Sequence, residues 1–229
     1  MISRNPQPRR TLRRALVRFL ILVGSAFVLG RCSQPTPVGP PLEVPDDYVV
    51  ADDFSPPSVA WGRFDTEQRA VYALAGELYL EDRGSRAAVS APLTTYEYAD
   101  VTVKVRVRHV QGEVDNWMGV LCRQQDEDNY YLFGISADGY ATLVKVEEGF
   151  STPLVEPTPS DAIQVGKETN EIQVRCRETE LTLWVNGQRV VRRFDDALTQ
   201  AGNVALFADA TANGATTTVA FDNFILTSP

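Results

Sequence analysis

Four side chains between positions 117 and 145 have the chemistry of a ligand-binding surface. Trp117 and Tyr130 offer flat aromatic faces, while Arg123 and Lys145 offer charged hydrogen-bond donors. Aromatic faces pack against the C–H surfaces of sugar rings, and a few polar groups around them fix the orientation of the ligand. If adjacent strands bring the four side chains to one sheet face, the sequence predicts a platform for a sugar or an acidic glycan. The alternative is a solvent-exposed face whose cations keep the chain soluble.

Residue parity decides which aromatic residues belong to this platform. The stretch DNYYLFGISADGY, residues 128–140, alternates like a strand before its Asp-Gly turn. One parity is large and carbon-rich and is predicted to be core: Tyr131, Phe133 and Ile135. The other parity places Tyr130 beside the small residues Gly134 and Ser136, which would leave a groove next to its ring. In this stretch, Tyr130 alone is therefore predicted to contact a ligand.

The neighbouring segments are predicted to supply the other three members. Trp117 and Arg123 share the parity opposite to an apolar row that consists of Met118, Val120 and Cys122. Lys145 follows the Asp-Gly turn, in phase with Ala141 and Leu143. If the three strands are adjacent, the four side chains are expected to converge on one face.

Composition excludes several other chemistries. His109 is the only histidine, so a histidine-rich metal cluster is excluded, as is any Ser-His-Asp triad that does not use it. Its place after a row of alternating valines predicts a structural role at the edge of the core. The chain contains neither a CxxC pair nor a phosphate-binding glycine loop.

These side chains must be positioned by β-strands, because period-two alternation runs from Val49 onward. Residues 101–110 (VTVKVRVRHV) alternate valine with polar residues, and residues 171–177 (EIQVRCR) follow the same rule. Three dipeptides have the composition of tight hairpin turns: Asp138-Gly139, Asn186-Gly187 and Asn213-Gly214. We predict one all-β domain, an antiparallel sandwich of about eleven or twelve strands.

The N-terminal segment predicts export. Residues 1–31 hold seven arginines and no acidic residue, and an uncharged apolar run extends from Phe19 to Gly30. This pattern is typical of an export signal, and the apolar run is shorter than the roughly twenty residues that a membrane span needs. Cys32 is then a candidate lipidation site, although Arg31 stands where a lipoprotein signal carries a small residue. A cleaved signal, a lipid anchor and an uncleaved membrane anchor all stay open.

A proline-rich linker, residues 33–46, is predicted to follow the signal or anchor of residues 1–32. The domain that remains, residues 47–229, is strongly acidic. The chain has 22 basic and 30 acidic residues, and loss of the seven N-terminal arginines leaves 15 against 30 in residues 33–229, a net charge of −15. Such a domain is a poor partner for nucleic acid or anionic lipid. We expect a monomer in the cell envelope or outside the cell that touches the membrane only through its N-terminus.

Cys122 and Cys176 predict a disulfide, once Cys32 is assigned to the signal region. Both cysteines end segments that alternate like strands, and exported proteins retain such bridges because their surroundings are oxidising. The alternative is a pair of buried free thiols.

The order of several motifs resembles a known family. The motifs are DDFS at 52–55 with Trp61-Gly62, NWMGVLCRQQDEDNYYLFGISADGY at 116–140, TNEIQVRCRETELTLWVNGQRV at 169–190, GNVALFA at 202–208 and FDNF at 221–224. Together they resemble the concanavalin A-like lectin/glucanase superfamily, whose fold is a two-sheet antiparallel jelly roll. More narrowly, the chain is similar to exported bacterial domains of the 3-keto-disaccharide hydrolase type. The resemblance implies carbohydrate as the partner, although this fold hosts lectins, glycosidases and inert modules alike.

The resemblance also suggests where catalysis or a metal would lie. Laminarinase-type glucanases carry Glu-x-Asp-x-x-Glu, whose two glutamates act as nucleophile and acid/base. Glu113 and Asp115 match the first half, but Met118 stands where the second glutamate is required, so we predict no glucanase site. In many jelly-roll modules an aspartate of the last strand helps to hold a structural Ca²⁺, which makes Asp222 and Asp53 candidate ligands. The alternative is that both carboxylates hydrogen-bond the backbone of turns.

Three functions therefore stay open on the sequence. The leading hypothesis is an exported, membrane-tethered or cell-surface module that binds carbohydrate without cleaving it. The second is an enzyme related to the glycoside hydrolases or 3-keto-disaccharide hydrolases. The third is an adhesion or structural module that binds protein partners.

Overall fold

The residues that the structure describes begin just after the predicted linker. The computed structural model describes residues 48–58, 61–85, 87–94, 96–212 and 214–228. The predicted signal or anchor, the linker and Cys32 lie outside these residues. Within the described ranges every regular element is a strand. No helix in that part of the chain is long and apolar enough to span a bilayer.

Fifteen strands are present in the described residues, more than were predicted from the turns. The additional strands are short pairings that alternation cannot reveal, such as the two-residue strand Phe64–Asp65. In chain order the strands are β1 (Tyr48–Asp52), β2 (Phe64–Asp65), β3 (Arg69–Leu74), β4 (Glu77–Asp82), β5 (Val89–Pro92), β6 (Val101–Gly112), β7 (Asn116–Gln124), β8 (Tyr130–Ile135), β9 (Tyr140–Glu147), β10 (Phe150–Pro159), β11 (Asn170–Arg177), β12 (Glu180–Val185), β13 (Gln188–Phe194), β14 (Asn203–Ala210) and β15 (Thr217–Thr227).

The strands form two antiparallel sheets that pack as a sandwich, which confirms the predicted fold class. The nine-stranded sheet has the order β13-β12-β11-β6-β15-β4-β3-β2, with β1 also paired to β15. The six-stranded sheet has the order β10-β9-β8-β7-β14-β5. Many neighbours, such as β6 with β15 and β7 with β14, are far apart in the sequence. The chain therefore crosses repeatedly between the sheets, as it does in jelly rolls.

The alternating residues of β6 show how the sequence specifies the core. Val103 and Val105 are fully buried, whereas Lys104 between them lies on the outer face and is half-exposed. In the adjacent strand β11, Val174 stands opposite Val103, so the apolar rows of the two strands coincide. A shift of one residue would turn every valine towards solvent, which fixes the register.

His109 continues the buried row of β6 at the end predicted for it and is 2% exposed. Burial lowers the pKa of its imidazole, because the charged form is poorly solvated there. The ring is therefore neutral at pH 7 and contributes packing to the sandwich.

The predicted disulfide is present and joins the two sheets. Cys122 lies on β7 of the six-stranded sheet, and Cys176 lies on β11 of the nine-stranded sheet. Both residues are fully buried. The bond links positions that are 54 residues apart in the sequence and passes through the core.

Two of the three predicted hairpin turns are present. Asp138-Gly139 joins β8 to β9 with Gly139 at φ 101°, and Asn186-Gly187 joins β12 to β13 with φ of 49° and 80°. Asparagine and glycine suit these positions because they tolerate positive φ at low energetic cost. The third prediction was wrong, because the segment after Ala210 leads from β14 in one sheet to β15 in the other. Asn213 itself lies outside the described residues.

One lateral edge of the sandwich is formed by β10 and β13. Strand β10 ends the six-stranded sheet and contains three prolines: Pro153, Pro157 and Pro159. Proline cannot donate to a neighbouring strand, so it is confined to sheet edges. Strand β13 ends the other sheet, and its exposed arginines line a pocket of about 400 Å³ beside β10: Arg189, Arg192 and Arg193.

Candidate ligand-binding face

The outer face of the six-stranded sheet carries an apolar cluster that is separate from the main core. Its buried members are Leu121, Ala205 and Phe207, and its half-buried members are Ala88, Trp117, Tyr130 and Leu132. Alternation places them on the side opposite to the core residues of the same strands. We call Trp117, Tyr130, Leu132 and Phe207, together with the adjacent Asp209, the aromatic patch.

The register between β7 and β14 brings distant parts of the sequence to this patch. Phe207 stands opposite Gly119, and Asp209 stands opposite Trp117. Paired residues of antiparallel strands project from the same face and touch through their side chains. The patch thus joins a tryptophan and a carboxylate that are far apart in the sequence.

Two glycines make room for the aromatic rings. A Cβ atom built on Gly134 would lie 3.2 Å from Cε3 of Trp117, which shows that the indole lies over this position. A Cβ built on Gly119 would lie 3.2 Å from Cε1 of Phe207 and 2.0 Å from the carbonyl oxygen of Phe133. Because Gly119 and Gly134 are themselves a cross-strand pair, the sheet has a shallow trough there that the two rings occupy.

Asp209 is the polar group of this surface. Its carboxylate is half-buried and makes no hydrogen bond or ion pair to any described residue. Burial raises its pKa to about 6, and the negative charge of Asp82 adds to the effect. Tyr130 lies within range of this charge, since burial and then the charge of Asp209 raise the pKa of its phenol. A carboxylate in this setting lacks the donors that would solvate it.

The charged groups beside the patch, Arg69 and Asp82, already have hydrogen-bond partners in the protein. Arg69 donates to the carbonyl oxygen of Ala88 at 3.4 Å, so its guanidinium lies near one end of the cluster. Asp82 is 1% exposed and is already engaged by the backbone N–H groups of Gly84, Ser85 and Ala210. Of Asp82 and Asp209, it is Asp209 whose carboxylate oxygens face the patch without a hydrogen-bond donor among the described residues.

Arg123 does not lie on the patch, which corrects the prediction from parity. It has a φ of 52°, and the register of β7 against β14 shifts beside it, so that two residues of β7 face one of β14. Such a bulge turns the next side chain to the other face. Arg123 is 1% exposed, and its donors bind the interior, so it cannot contact a ligand on the outer surface.

The buried guanidinium of Arg123 instead joins β7 to three loop segments at one end of the sandwich. It donates to the carbonyl oxygens of Ala99 at 2.6 Å, Leu198 at 2.9 Å and Glu178 at 2.6 Å. It also donates to the Asp100 carboxylate at 3.2 Å. All of its partners are fixed groups of loops, so its role is structural.

Lys145 also lies off the patch, although the three strands are adjacent as predicted. It stands opposite Tyr131, in the row of β9 that points towards the core, whereas Tyr130 stands opposite Val146 in the other row. Its ammonium pairs with Glu147 at 3.0 Å and with Asp195 at 3.7 Å at the end of the sheet. In the sequence Lys145 shares the parity of Ala141 and Leu143, and β9 keeps that parity in the structure.

Trp117 and Tyr130 are the two predicted ligand contacts that the structure does bring together, and their role in binding stays a prediction. Asp209 and Phe207 were missed because their strand was interpreted only as part of a family resemblance. The signal was present, since the sequence NVALFADA gives Phe207 and Asp209 the same parity. An acid on the outer parity of a central, apolar strand is unusual enough to mark a site.

The candidate calcium ligands are each engaged in local hydrogen bonds. Asp53 accepts from the backbone N–H of Ser55 at 3.0 Å, and Asp222 accepts from the side chain of Asn223 at 2.7 Å. The described residues contain no group of three or more acidic, histidine or cysteine side chains that could hold a metal. Calcium at Asp222 and Asp53 stays a prediction, to be tested by the effect of Ca²⁺ on the melting temperature.

The incomplete glucanase motif lies in a turn. Glu113 and Asp115 are exposed between β6 and β7, and the Asp115 carbonyl oxygen accepts from the hydroxyl of Thr211 at 2.9 Å. Met118 points into the main core and is 1% exposed. Glu113 and Asp115 therefore do not lie on one face of a strand, where the motif would hold two carboxylates about 5 Å apart for retaining chemistry.

Replacing Asp209 with asparagine is expected to stabilise the domain by about 1–2 kcal/mol at pH 7, because a carboxylate whose folded pKa is raised opposes folding when it ionises. The folded pKa of about 6 exceeds the ordinary value of 3.8. The contribution of Asp209 to the free energy of unfolding is therefore fully present below pH 3.8 and is lost as the pH rises through 6. Urea unfolding of wild type and Asp209→Asn at pH 4 and pH 7 measures this difference.

The matched control is Asp196→Asn, because Asp196 is exposed on a loop. Because nothing packs over an exposed loop side chain, its replacement should change the free energy of unfolding by less than about 0.5 kcal/mol. A wild type that matches or exceeds Asp209→Asn in stability at pH 7 would show that the carboxylate has a partner in solution.

Solved structures share the fold at low sequence identity. A GH43 protein, BlXynB from Bacillus licheniformis, matches with a TM-score of 0.59 and 15% identity over 83% of this chain and 41% of that one. A structure described with endo-acting O-glycanases of the human gut microbiota matches with a TM-score of 0.54 and 10% identity over 80% of this chain and 99% of that one. Carbohydrate-binding module CBM66 from Bacillus subtilis matches with a TM-score of 0.47 and 14% identity, over 75% of this chain and 92% of that one.

The sequence itself matches no protein-family model and no curated protein. The chain spans less than half the length of the GH43 protein. At these identities the likeness concerns the fold alone. What the comparisons establish is the fold, a two-sheet antiparallel β-sandwich.

Proposed function

We propose that this domain is a non-catalytic carbohydrate-binding module of an exported protein and that the aromatic patch is its sugar-binding surface. The observation that carries the proposal is the position of Trp117 and Tyr130, two half-buried rings, beside a carboxylate without a donor, Asp209. A saccharide has the matching chemistry, since its C–H face packs on aromatic rings and its hydroxyls donate to carboxylates.

The floor of the patch supports this role. Phe207 and Leu121 are buried beneath the half-exposed rings, so the rings rest on a packed layer and do not need to be ordered when a ligand binds. Rigid aromatic side chains offer contact area at a low cost in conformational entropy. The glycine trough under Trp117 likewise keeps the indole in a fixed position over the sheet.

The arrangement of acids supports binding rather than cleavage. Glycoside hydrolysis needs two carboxylates with free oxygens on either side of the bond to be broken. Asp82, whose charge raises the pKa of Asp209, accepts hydrogen bonds from three backbone N–H groups. Glu113 and Asp115 lie in a turn.

Export is part of the proposal and rests on two features. The N-terminal sequence has the order of an export signal, and the buried disulfide between Cys122 and Cys176 suits an oxidising compartment. A chain attached to the envelope through residues 1–32 would present the sandwich beyond the proline-rich linker. Fractionation of cells that express the full chain, with and without Cys32→Ala, tests the site of attachment.

The binding proposal predicts that Trp117→Ala and Tyr130→Ala each weaken glycan binding at least about tenfold, because a central aromatic anchor contributes more than about 1.4 kcal/mol. The full chain is first screened on a glycan array, and the affinity for its strongest hits is then measured by calorimetry. Retention of the two-sheet fold is checked by circular dichroism.

Trp184→Ala is the matched control, since Trp184 is a half-buried tryptophan on the outer face of the nine-stranded sheet, beneath Arg175 at 5.1 Å. It should bind glycans as wild type does. An array without hits, or hits that bind Trp117→Ala and Tyr130→Ala as tightly as wild type, would refute the proposal.

A further inference from the structure

The charge of the aromatic patch restricts which saccharides it can accept, if the proposed function holds. Both cations that the sequence had placed on this face are elsewhere. Arg123 is buried among loop carbonyls, and Lys145 pairs with Glu147 and Asp195 at the end of the sheet. The patch is left with the carboxylate of Asp209.

We propose that the patch selects uncharged saccharides and rejects those that carry a carboxylate or sulfate, because the ligand must place hydroxyl donors against Asp209. The sequence had left both a sugar and an acidic glycan open as ligands, and the loss of the two cations from this face favours the uncharged sugar. The selection depends on one side chain whose position between Trp117 and the rim is fixed by the register of β14.

The physical basis is the state of the carboxylate before and after binding. Asp209 is half-buried and lacks any donor among the described residues. Sugar hydroxyls would replace the water that a bound ring displaces, so the carboxylate is solvated in the complex. A uronate or sulfate offers acceptors only and adds a second negative charge, which a partly dehydrated site tolerates poorly.

The neighbouring charges strengthen the selection. Asp82 lies close enough to raise the pKa of Asp209, and Asp128 acts together with Asp209 on the phenol of Tyr130. Arg69 is the cation at the rim, and its guanidinium donates to the carbonyl oxygen of Ala88. An anionic saccharide on the patch would therefore contact the Asp209 carboxylate and lie near two further negative charges, those of Asp82 and Asp128.

The selection should weaken in acid, because protonation of Asp209 removes its charge. Its pKa of about 6 places this change between pH 5 and pH 7.5. Uronates and sulfates stay ionised over that range. At pH 5 a protonated Asp209 can also donate a hydrogen bond, so acidic saccharides should gain affinity relative to neutral ones.

The test uses the full chain and glycans in matched pairs whose members have the same sugar backbone and differ in one charged substituent. Suitable pairs are methyl-esterified and de-esterified oligogalacturonates, and desulfated and sulfated forms of one glycan. Wild type should bind the neutral member at least about tenfold more tightly at pH 7.5, and the ratio should fall at pH 5. Asp209→Asn should lower the ratio at pH 7.5 and abolish its dependence on pH, whereas Asp196→Asn should behave as wild type.

Each outcome decides a different claim. Acidic members that bind wild type as tightly as their neutral partners would overturn the charge selection while the sugar-binding role stands. A ratio that Asp209→Asn leaves unchanged would do the same, because the selection would then come from another group. If wild type binds neither member of any pair and the array has no hits, the proposed function itself fails.

Discussion

Replacing Arg123 with alanine is expected to destabilise the domain by about 3–5 kcal/mol, because removal of a buried charged partner leaves the remaining groups without compensation. The carbonyl oxygens of Ala99, Leu198 and Glu178 would lose their side-chain donor, and the Asp100 carboxylate would lose its cation. Each buried acceptor left without a partner costs about 1–3 kcal/mol, and water that enters the vacated space would offset part of this loss. Urea unfolding at pH 7 gives the free energy directly.

Two further variants separate the causes. Arg123→Lys keeps the charge but cannot present the planar fork that reaches several acceptors at once, so we expect a smaller yet clear loss. Arg177→Ala removes an exposed arginine near the same end of β11 and should change stability by less than about 0.5 kcal/mol. If Arg123→Ala lowered the free energy of unfolding no more than Arg177→Ala does, the hydrogen bonds of the buried guanidinium would contribute nothing net to stability.

Loss of the disulfide is expected to have a comparable effect. Breaking the bond between Cys122 and Cys176 should destabilise the domain by about 4 kcal/mol, because the unfolded chain regains the freedom of a loop of this length. The cysteines are 54 residues apart and join the two sheets. Unfolding of the reduced wild type against the oxidised form measures the effect without any change in core volume.

The variant Cys122→Ala with Cys176→Ala provides an independent comparison. It loses the bond and also two buried sulfur atoms, so it should be less stable than the reduced wild type by roughly 1 kcal/mol or more. A reduced wild type as stable as the oxidised one would show that the bridge does not restrict the unfolded chain.

The features that the sequence predicted correctly are those that depend on neighbouring residues. The rows of β6 and β11 and the Asp138-Gly139 turn followed from alternation and turn chemistry, because both depend on neighbouring residues alone. Arg123 could not be placed in this way, since the bulge beside it turns its side chain to the other face of the sheet. The shift is set by the pairing of β7 with β14, which is a long-range contact.

The site shows the same limit. Trp117 and Tyr130 were predicted from their parity in two adjacent strands, and the hairpin between them keeps that parity. Asp209 belongs to a strand that arrives late in the sequence, and its nearness to Trp117 depends on which strands pair across the sheet. Lys145 could be placed from the sequence, because it shares the parity of Ala141 and Leu143, which are buried residues of β9.

The edge formed by β10 and β13 bears on how closely copies of the domain can be crowded. Three prolines in β10 remove the backbone donors that an incoming strand would need, and the arginines of β13 repel a second copy of the same edge. A domain displayed at high density on a surface would otherwise be at risk of joining sheets with its neighbours. On this side, copies packed side by side should remain separate molecules and resist fibril growth.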